Sequence, residues 1–196
     1  MPLRPSVLLL SALLGLTQCI MQEGGYSVHP MPEATQTGAN TAGCLVDGLP
    51  WVASHNGTMM GGGPLPAVRA TWSKVRPPAH HLSLSFSKYI DDEAHVHART
   101  NVRLELPDIT RPGTFVLDQA ANPQIGNGPT AYAAFTFNRA SPSLTFLTGS
   151  AYPGRVVVTR FDTLSRVVSG TFEFTANQAT GGRPVRVAEG RFDCEF

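Results

Sequence analysis

The segment Asp91-Asp92-Glu93-Ala94-His95-Val96-His97-Ala98-Arg99 is the strongest cluster of chemically capable side chains in the sequence. On a strand, His95 and His97 project from the same face about 7 Å apart. Two imidazoles so placed can share a metal ion, with Asp91, Asp92 or Glu93 adding oxygen. A complete site needs three or four protein ligands with support behind them. His80 and His81 are the candidates for the missing ligand, should their strand pair alongside. The plainer reading is a solvated acidic turn followed by histidines on an exposed face, and it is the one favoured here. No metal or other cofactor is therefore assigned, and His95, His97, His80 and His81 stand as an alternative metal site that would support a metal-assisted hydrolase.

Other catalytic patterns are weaker still. Ser83, Ser85 and Ser87 read as the polar face of a strand, and none lies in a G-x-S-x-G elbow. Met59-Met60-Gly61-Gly62-Gly63-Pro64 lacks the Gly-Lys-Ser/Thr ending of a phosphate loop. No carboxylate pair stands out as a glycosidase dyad. Asn56-Gly57-Thr58 matches a glycosylation sequon but reads as a turn. Trp51, Trp72, Tyr89 and Tyr132 would form a carbohydrate platform if exposed, although buried packing is the commoner use of such rings. No catalytic residue is assigned, and the expectation is a protein that is not an enzyme.

The elements that must carry these residues are strands. Charged residues make up 15% of the 196, well below the usual ~25%, and Gly and Pro are abundant, a composition of short strands and turns. Basic and acidic residues number 15 and 14 and are spread along the chain, so no basic patch invites nucleic acid. Leu82, Leu84 and Phe86 alternate with the three serines, and Val102, Leu104 and Leu106 alternate with Arg103 and Glu105. Cys44-Leu45-Val46-Asp47-Gly48-Leu49-Pro50-Trp51 reads as strand, tight turn, strand. Further short apolar segments recur every 8 to 14 residues up to Phe192, Cys194 and Phe196, which share a face. The expected fold is all-β: an antiparallel sandwich or partly open barrel of about nine or ten short strands.

The N-terminus reads as an export signal. Arg4 precedes an apolar stretch from Ser6 to Leu16, the length of a signal core and too short to span a bilayer. Leu16-Thr17-Gln18-Cys19 resembles a bacterial lipobox, which makes residues 1–18 a signal peptide and Cys19 the lipid-attachment residue. Gln18 departs from the usual small residue, and simple secretion is the alternative. Residues 19–43 read as anchor and flexible tether, and 44–196 as one domain. With Cys19 acylated, Cys44 and Cys194 remain as a pair in an oxidising compartment. A disulfide between them is expected; two buried free thiols are the alternative.

Taken together, the opening Cys-Leu-Val-Asp-Gly-Leu-Pro-Trp, the later Val-Ser-Gly-Thr-Phe-Glu-Phe-Thr-Ala and the closing Glu-Gly-Arg-Phe-Asp resemble a group of small Bacteroidota lipoproteins of unknown function. The resemblance implies a lipid anchor, a tether and a β-domain, and it implies no activity. The expected protein is a lipid-anchored component of the cell envelope, with a non-catalytic domain that serves a structural role or binds an unidentified protein or glycan.

Overall fold

The computed structural model describes residues 30–54, 66–76, 79–91, 97–121, 129–138 and 143–196. The signal segment, Cys19, the Asn56 sequon, the glycine-rich loop, Asp92, Glu93 and His95 lie outside the described residues. Strands run in the order β1 (Thr41–Val46), β2 (Leu49–Val52), β3 (Val68–Arg76), β4 (Ala79–Asp91), β5 (His97–Pro107), β6 (Gly113–Leu117), β7 (Tyr132–Asn138), β8 (Leu144–Leu147), β9 (Gly154–Asp162), β10 (Val167–Ala176) and β11 (Val185–Glu195). They form two antiparallel sheets, ordered β2-β1-β11-β10-β9-β6 and β3-β4-β5-β7-β8. The sheets end in unjoined edge strands, so the fold is a sandwich and not a barrel, with one strand more than the upper expectation.

Period-two patterning builds the core. Leu82, Leu84, Phe86, Val102, Leu104 and Leu106 are fully buried, facing Val156, Val158, Phe172, Phe174 and Phe192 of the six-stranded sheet. The Phe86 ring lies 5.8 Å from that of Phe172 and 6.0 Å from that of Phe192, near-parallel to both. The opening turn is as the sequence indicates. Asp47 and Gly48 both have positive φ, 50° and 84°, as a two-residue primed turn requires. Val46 pairs with Leu49 across it.

The two glycine-phenylalanine motifs have a structural explanation. Gly170 of β10 lies opposite Phe192 of β11, and Phe172 lies opposite Gly190. Each ring thus covers the bare backbone of the facing strand. A Cβ on Gly190 would stand 2.6 Å from the Phe172 ring, and one on Gly170 would stand 2.2 Å from the Val157 carbonyl oxygen. Between Val187 and Gly190 a bulge carries Glu189 at φ 53°. The extra residue moves the buried set from Val187 to the even positions Phe192 and Cys194.

That register also corrects the expected disulfide. Strands β1 and β11 are neighbours, as a bridge would need, but Gly43 pairs with Arg191 and Leu45 with Ala188. Cys44 therefore lies beside Glu189 and Gly190, four to five residues along β11 from Cys194, roughly 13–17 Å away at strand rise. A disulfide needs Cα atoms within about 7 Å. Both cysteines are free, buried thiols. Burial pushes the Cys44 thiol up to about 12, with Lys88 opposing weakly, and pushes Cys194 higher still with the help of the Asp193 charge.

Part of the stretch expected as a tether is held against the domain. Residues 35–39 form a strap across the outer face of the six-stranded sheet, held by the buried carboxylate of Asp193. Its Oδ2 accepts from Thr35 Oγ1 at 2.7 Å, Thr37 N at 2.9 Å, Ala39 N at 3.1 Å and Thr37 Oγ1 at 3.3 Å. Its Oδ1 accepts from Ser169 Oγ at 2.6 Å and Gly38 N at 2.9 Å. Gln36 reaches Thr159 and Arg160 of β9, and Arg191 donates to the Pro32 carbonyl. Burial alone would raise the Asp193 carboxyl, but the bonds from Ser169, Thr35, Gly38 and Thr37 outweigh it and hold the group far below the usual carboxylate range.

Candidate functional site, an arginine-lined groove

The outer face of the five-stranded sheet carries a groove of about 540 Å³. Its shape follows from side-chain length across three adjacent strands. On the central strand β4 the outward positions are Ser83, Ser85 and Ser87, too short to fill the space above the backbone. The flanking strands place long polar groups there: Arg69 and Thr71 from β3, and Arg99, Asn101 and Arg103 from β5. Arg69 pairs with Ser85, and Ser85 pairs with Arg103. The two arginines thus stand in one row on either side of a serine, two strand spacings or about 9–10 Å apart at Cα.

The charges in the groove are unevenly compensated. Arg69 is exposed and makes no ion pair or hydrogen bond among the described residues. Arg99 lies over the Tyr89 ring, 5.6 Å from its centroid, and donates to Ser87 Oγ at 3.3 Å. Asn101 donates to Ser85 Oγ at 2.9 Å and to Ser87 Oγ at 3.1 Å, which fixes the groove floor. Arg103 donates through Nε to Glu105 Oε1. Three guanidinium groups against one carboxylate leave an excess of two positive charges among these described side chains.

Glu105 closes one end. Its alternation with Val102, Leu104 and Leu106 suggests a solvated position, yet it is only 1% exposed. His81 Nε2 shares a short hydrogen bond with Glu105 Oε2, and Ser83 Oγ donates to Oε1 at 2.9 Å. Burial would raise this carboxyl; the His81 bond, the Arg103 charge and the Ser83 bond outweigh it, and the net direction is down. Tyr132, opposite Glu105 on β7, is raised by burial and by the Glu105 charge. Ser83 Oγ donates to Glu105 and His81 Nε2 bonds to it, and no hydrogen bond joins the two. The arrangement holds a charge in place and lacks the nucleophile-base pairing of an acyl-transfer site.

Among the described residues the alternative histidine set is divided between the two ends of a hairpin. His81 pairs with Pro107 at one end of the β4–β5 hairpin, and Asp91 pairs with His97 at the other. Ten residues of strand, about 33 Å, separate the two ends. The hairpin that joins the segments is what holds them apart: His97 begins the return strand at the turn end, whereas His80 and His81 lie at the far end of the outgoing strand. His80 stacks on Trp72 at 4.8 Å and 5°, and His95 lies outside the described residues. No group of three metal-ligating side chains occurs among the described residues.

The aromatic platform also dissolves. Trp51 and Tyr132 are buried, with Trp51 Nε1 donating to Thr100 Oγ1 at 2.8 Å. Trp72 packs edge-on against Phe161 and Phe196. The sequence alone assigns no binding role to Arg69, Arg99, Asn101 or Arg103. Their signal is present only in combination: long polar residues at alternate positions on two strands, with serines at alternate positions on the strand between.

No curated protein and no solved structure matches this chain. A family model does match, from residue 93 to residue 193. The matched stretch spans β5 to most of β11 and so includes both glycine-phenylalanine motifs, Asp193 and one wall of the groove. On that match, which takes in just over half of the 196 residues, the chain belongs to the family described as Domain of unknown function (DUF6252).

Proposed function

We propose that this protein is a lipid-anchored component of the bacterial cell envelope, of the Bacteroidota lipoprotein type, whose β-sandwich is a non-catalytic binding domain. The observation that carries the binding role is the groove on β3, β4 and β5. It concentrates two guanidinium groups that have no carboxylate partner among the described residues beside a floor of hydroxyls. Exposed, uncompensated charge in a concave site is suited to a ligand of opposite charge. A non-catalytic role is supported by the use of Ser83 and His81 as ligands of Glu105.

The anchor rests on Ser6 to Leu16 followed by Leu16-Thr17-Gln18-Cys19. Two or more acyl chains on Cys19, at about 0.8 kcal/mol per buried methylene, give stable membrane attachment. In bacteria fed a clickable fatty acid, the wild-type protein should be labelled and should sediment with membranes, whereas Cys19→Ala should do neither. Equal labelling of the two proteins, or of neither, refutes the anchor.

A further inference from the structure

Taking the groove as a binding surface, we infer that its ligand is an acidic saccharide, carrying a uronate carboxylate or a sulfate ester that seats between Arg69 and Arg103 above Ser85. The inference rests on the binding role proposed above and adds the ligand class. Four observations carry it.

First, the row Arg69–Ser85–Arg103 places two guanidinium groups on either side of a small hydroxyl residue, a spacing that lets both reach one oxyanion from opposite walls. Arg103 commits Nε to Glu105, and its terminal nitrogens, which have no partner among the described residues, are left for a ligand. Guanidinium forks match the paired oxygens of carboxylate and sulfate.

Second, the floor continues along β4 from Ser83 to Ser87, about 13 Å of strand, flanked by Thr71 and Asn101. Neutral hydroxyls and amides in a line suit the hydroxyls of successive sugar rings and leave the anionic substituent to the arginines.

Third, the one aromatic ring among the described residues of the groove, Tyr89, has Arg99 over its face. A ring so covered offers no stacking platform to nucleobases, on which single-strand binding depends, nor to an uncharged sugar. Affinity must therefore come from charge and hydrogen bonds.

Fourth, the groove and the N-terminal strap occupy opposite outer faces of the sandwich. The strap crosses β11, β10 and β9 of one sheet, while the groove lies on β3, β4 and β5 of the other. A chain tethered through its N-terminal side is thus free to turn the groove away from the membrane, which favours a saccharide over a lipid headgroup.

The test is calorimetric titration of the purified full-length Cys19→Ala protein, which lacks the acyl anchor, with oligogalacturonate, dextran sulfate, uncharged dextran, inorganic sulfate and phosphatidylglycerol vesicles. Binding to oligogalacturonate or to dextran sulfate, weakened by added salt and absent with uncharged dextran, is the expected result. Which of the two binds distinguishes the carboxylate from the sulfate ester. Arg69→Ala combined with Arg99→Ala should weaken binding at least tenfold with little change in thermal midpoint, since neither side chain is buried. Ser85→Glu should abolish it by placing a carboxylate at the seat.

Equal affinity for uncharged dextran, inorganic sulfate binding as tightly as the sulfated polymer, tighter binding to vesicles, or an unaltered double variant would each overturn the inference. So would no binding to either acidic saccharide. Binding to vesicles, uncharged dextran or inorganic sulfate that the double variant loses overturns the ligand class and leaves the groove a binding site. No binding to any probe, or binding that the double variant leaves unaltered, overturns the binding role as well.

Discussion

Replacing Asp193 by Asn tests whether one buried charge fastens the N-terminal strap. The carboxylate accepts six hydrogen bonds, four at Oδ2 and two at Oδ1. An amide in either orientation turns an N–H toward a backbone N–H. If nitrogen replaces Oδ2 it meets Thr37 and Ala39; if it replaces Oδ1 it meets Gly38. The less costly choice is the second, because the Ser169 hydroxyl can rotate to accept. One buried donor is then unsatisfied, at about 1–3 kcal/mol, and four bonds lose charge assistance, each weakened by about 1 kcal/mol. Relief of the burial cost of the charge offsets part of this, leaving a loss of about 3 kcal/mol near neutral pH.

The pH dependence follows from the depressed carboxyl. A group whose folded value lies below its unfolded value, about 3.9 for Asp, stabilises fully above that value. Its contribution is lost as pH falls from about 4 toward the folded value. The gap between wild type and Asp193→Asn should therefore be widest between about pH 5 and 8 and should narrow below pH 4. Glu105 and Asp162 also titrate with depressed values, but they do so in both proteins and cancel in the difference. Urea unfolding at pH 7 and pH 3 measures the gap, and hydrogen exchange locates it: the amides of Thr37, Gly38 and Ala39 should lose protection before the core strands do. A difference below about 1 kcal/mol at pH 7, a gap unchanged at pH 3, or full protection of those three amides would refute the reasoning.

Gly170→Ala should destabilise the sandwich by about 3 kcal/mol, because its Cβ meets a backbone carbonyl that cannot rotate away. The neighbouring exposed Thr171→Ala should stay within about 0.5 kcal/mol in the same thermal melts. In a Cys19→Ala background, Cys44 and Cys194 should resist alkylation while the protein is folded and yield two reactive thiols in denaturant without reductant. Native reactivity, or a cross-linked peptide joining the two, would contradict the register of β1 against β11.

Much of the sandwich was legible in the sequence, because alternation is a local property. Leu82, Leu84 and Phe86 against three serines, and Asp47-Gly48 between two apolar runs, specify strand, face and turn within a few residues. What escaped are properties of register. A bulge at Glu189 changes which cysteine can meet which, and nothing local distinguishes a pair of strands that are neighbours from a pair of residues that are.

The same limit hid both polar sites. Asp193 sits on the outward face of β11, where charge reads as solvated, until a segment about 155 residues earlier in the chain folds over it. Glu105 is buried the same way, by partners from two neighbouring strands. The groove exists only because a strand of serines lies between two strands bearing arginines, and the order of strands in a sheet is set by the packing of the whole chain. Fold class, faces and turns belong to the sequence alone. Pairing register, the fate of the thiols and the assembly of Arg69, Ser85 and Arg103 belong to the tertiary structure, because they depend on which distant backbone comes to lie about 4.8 Å away.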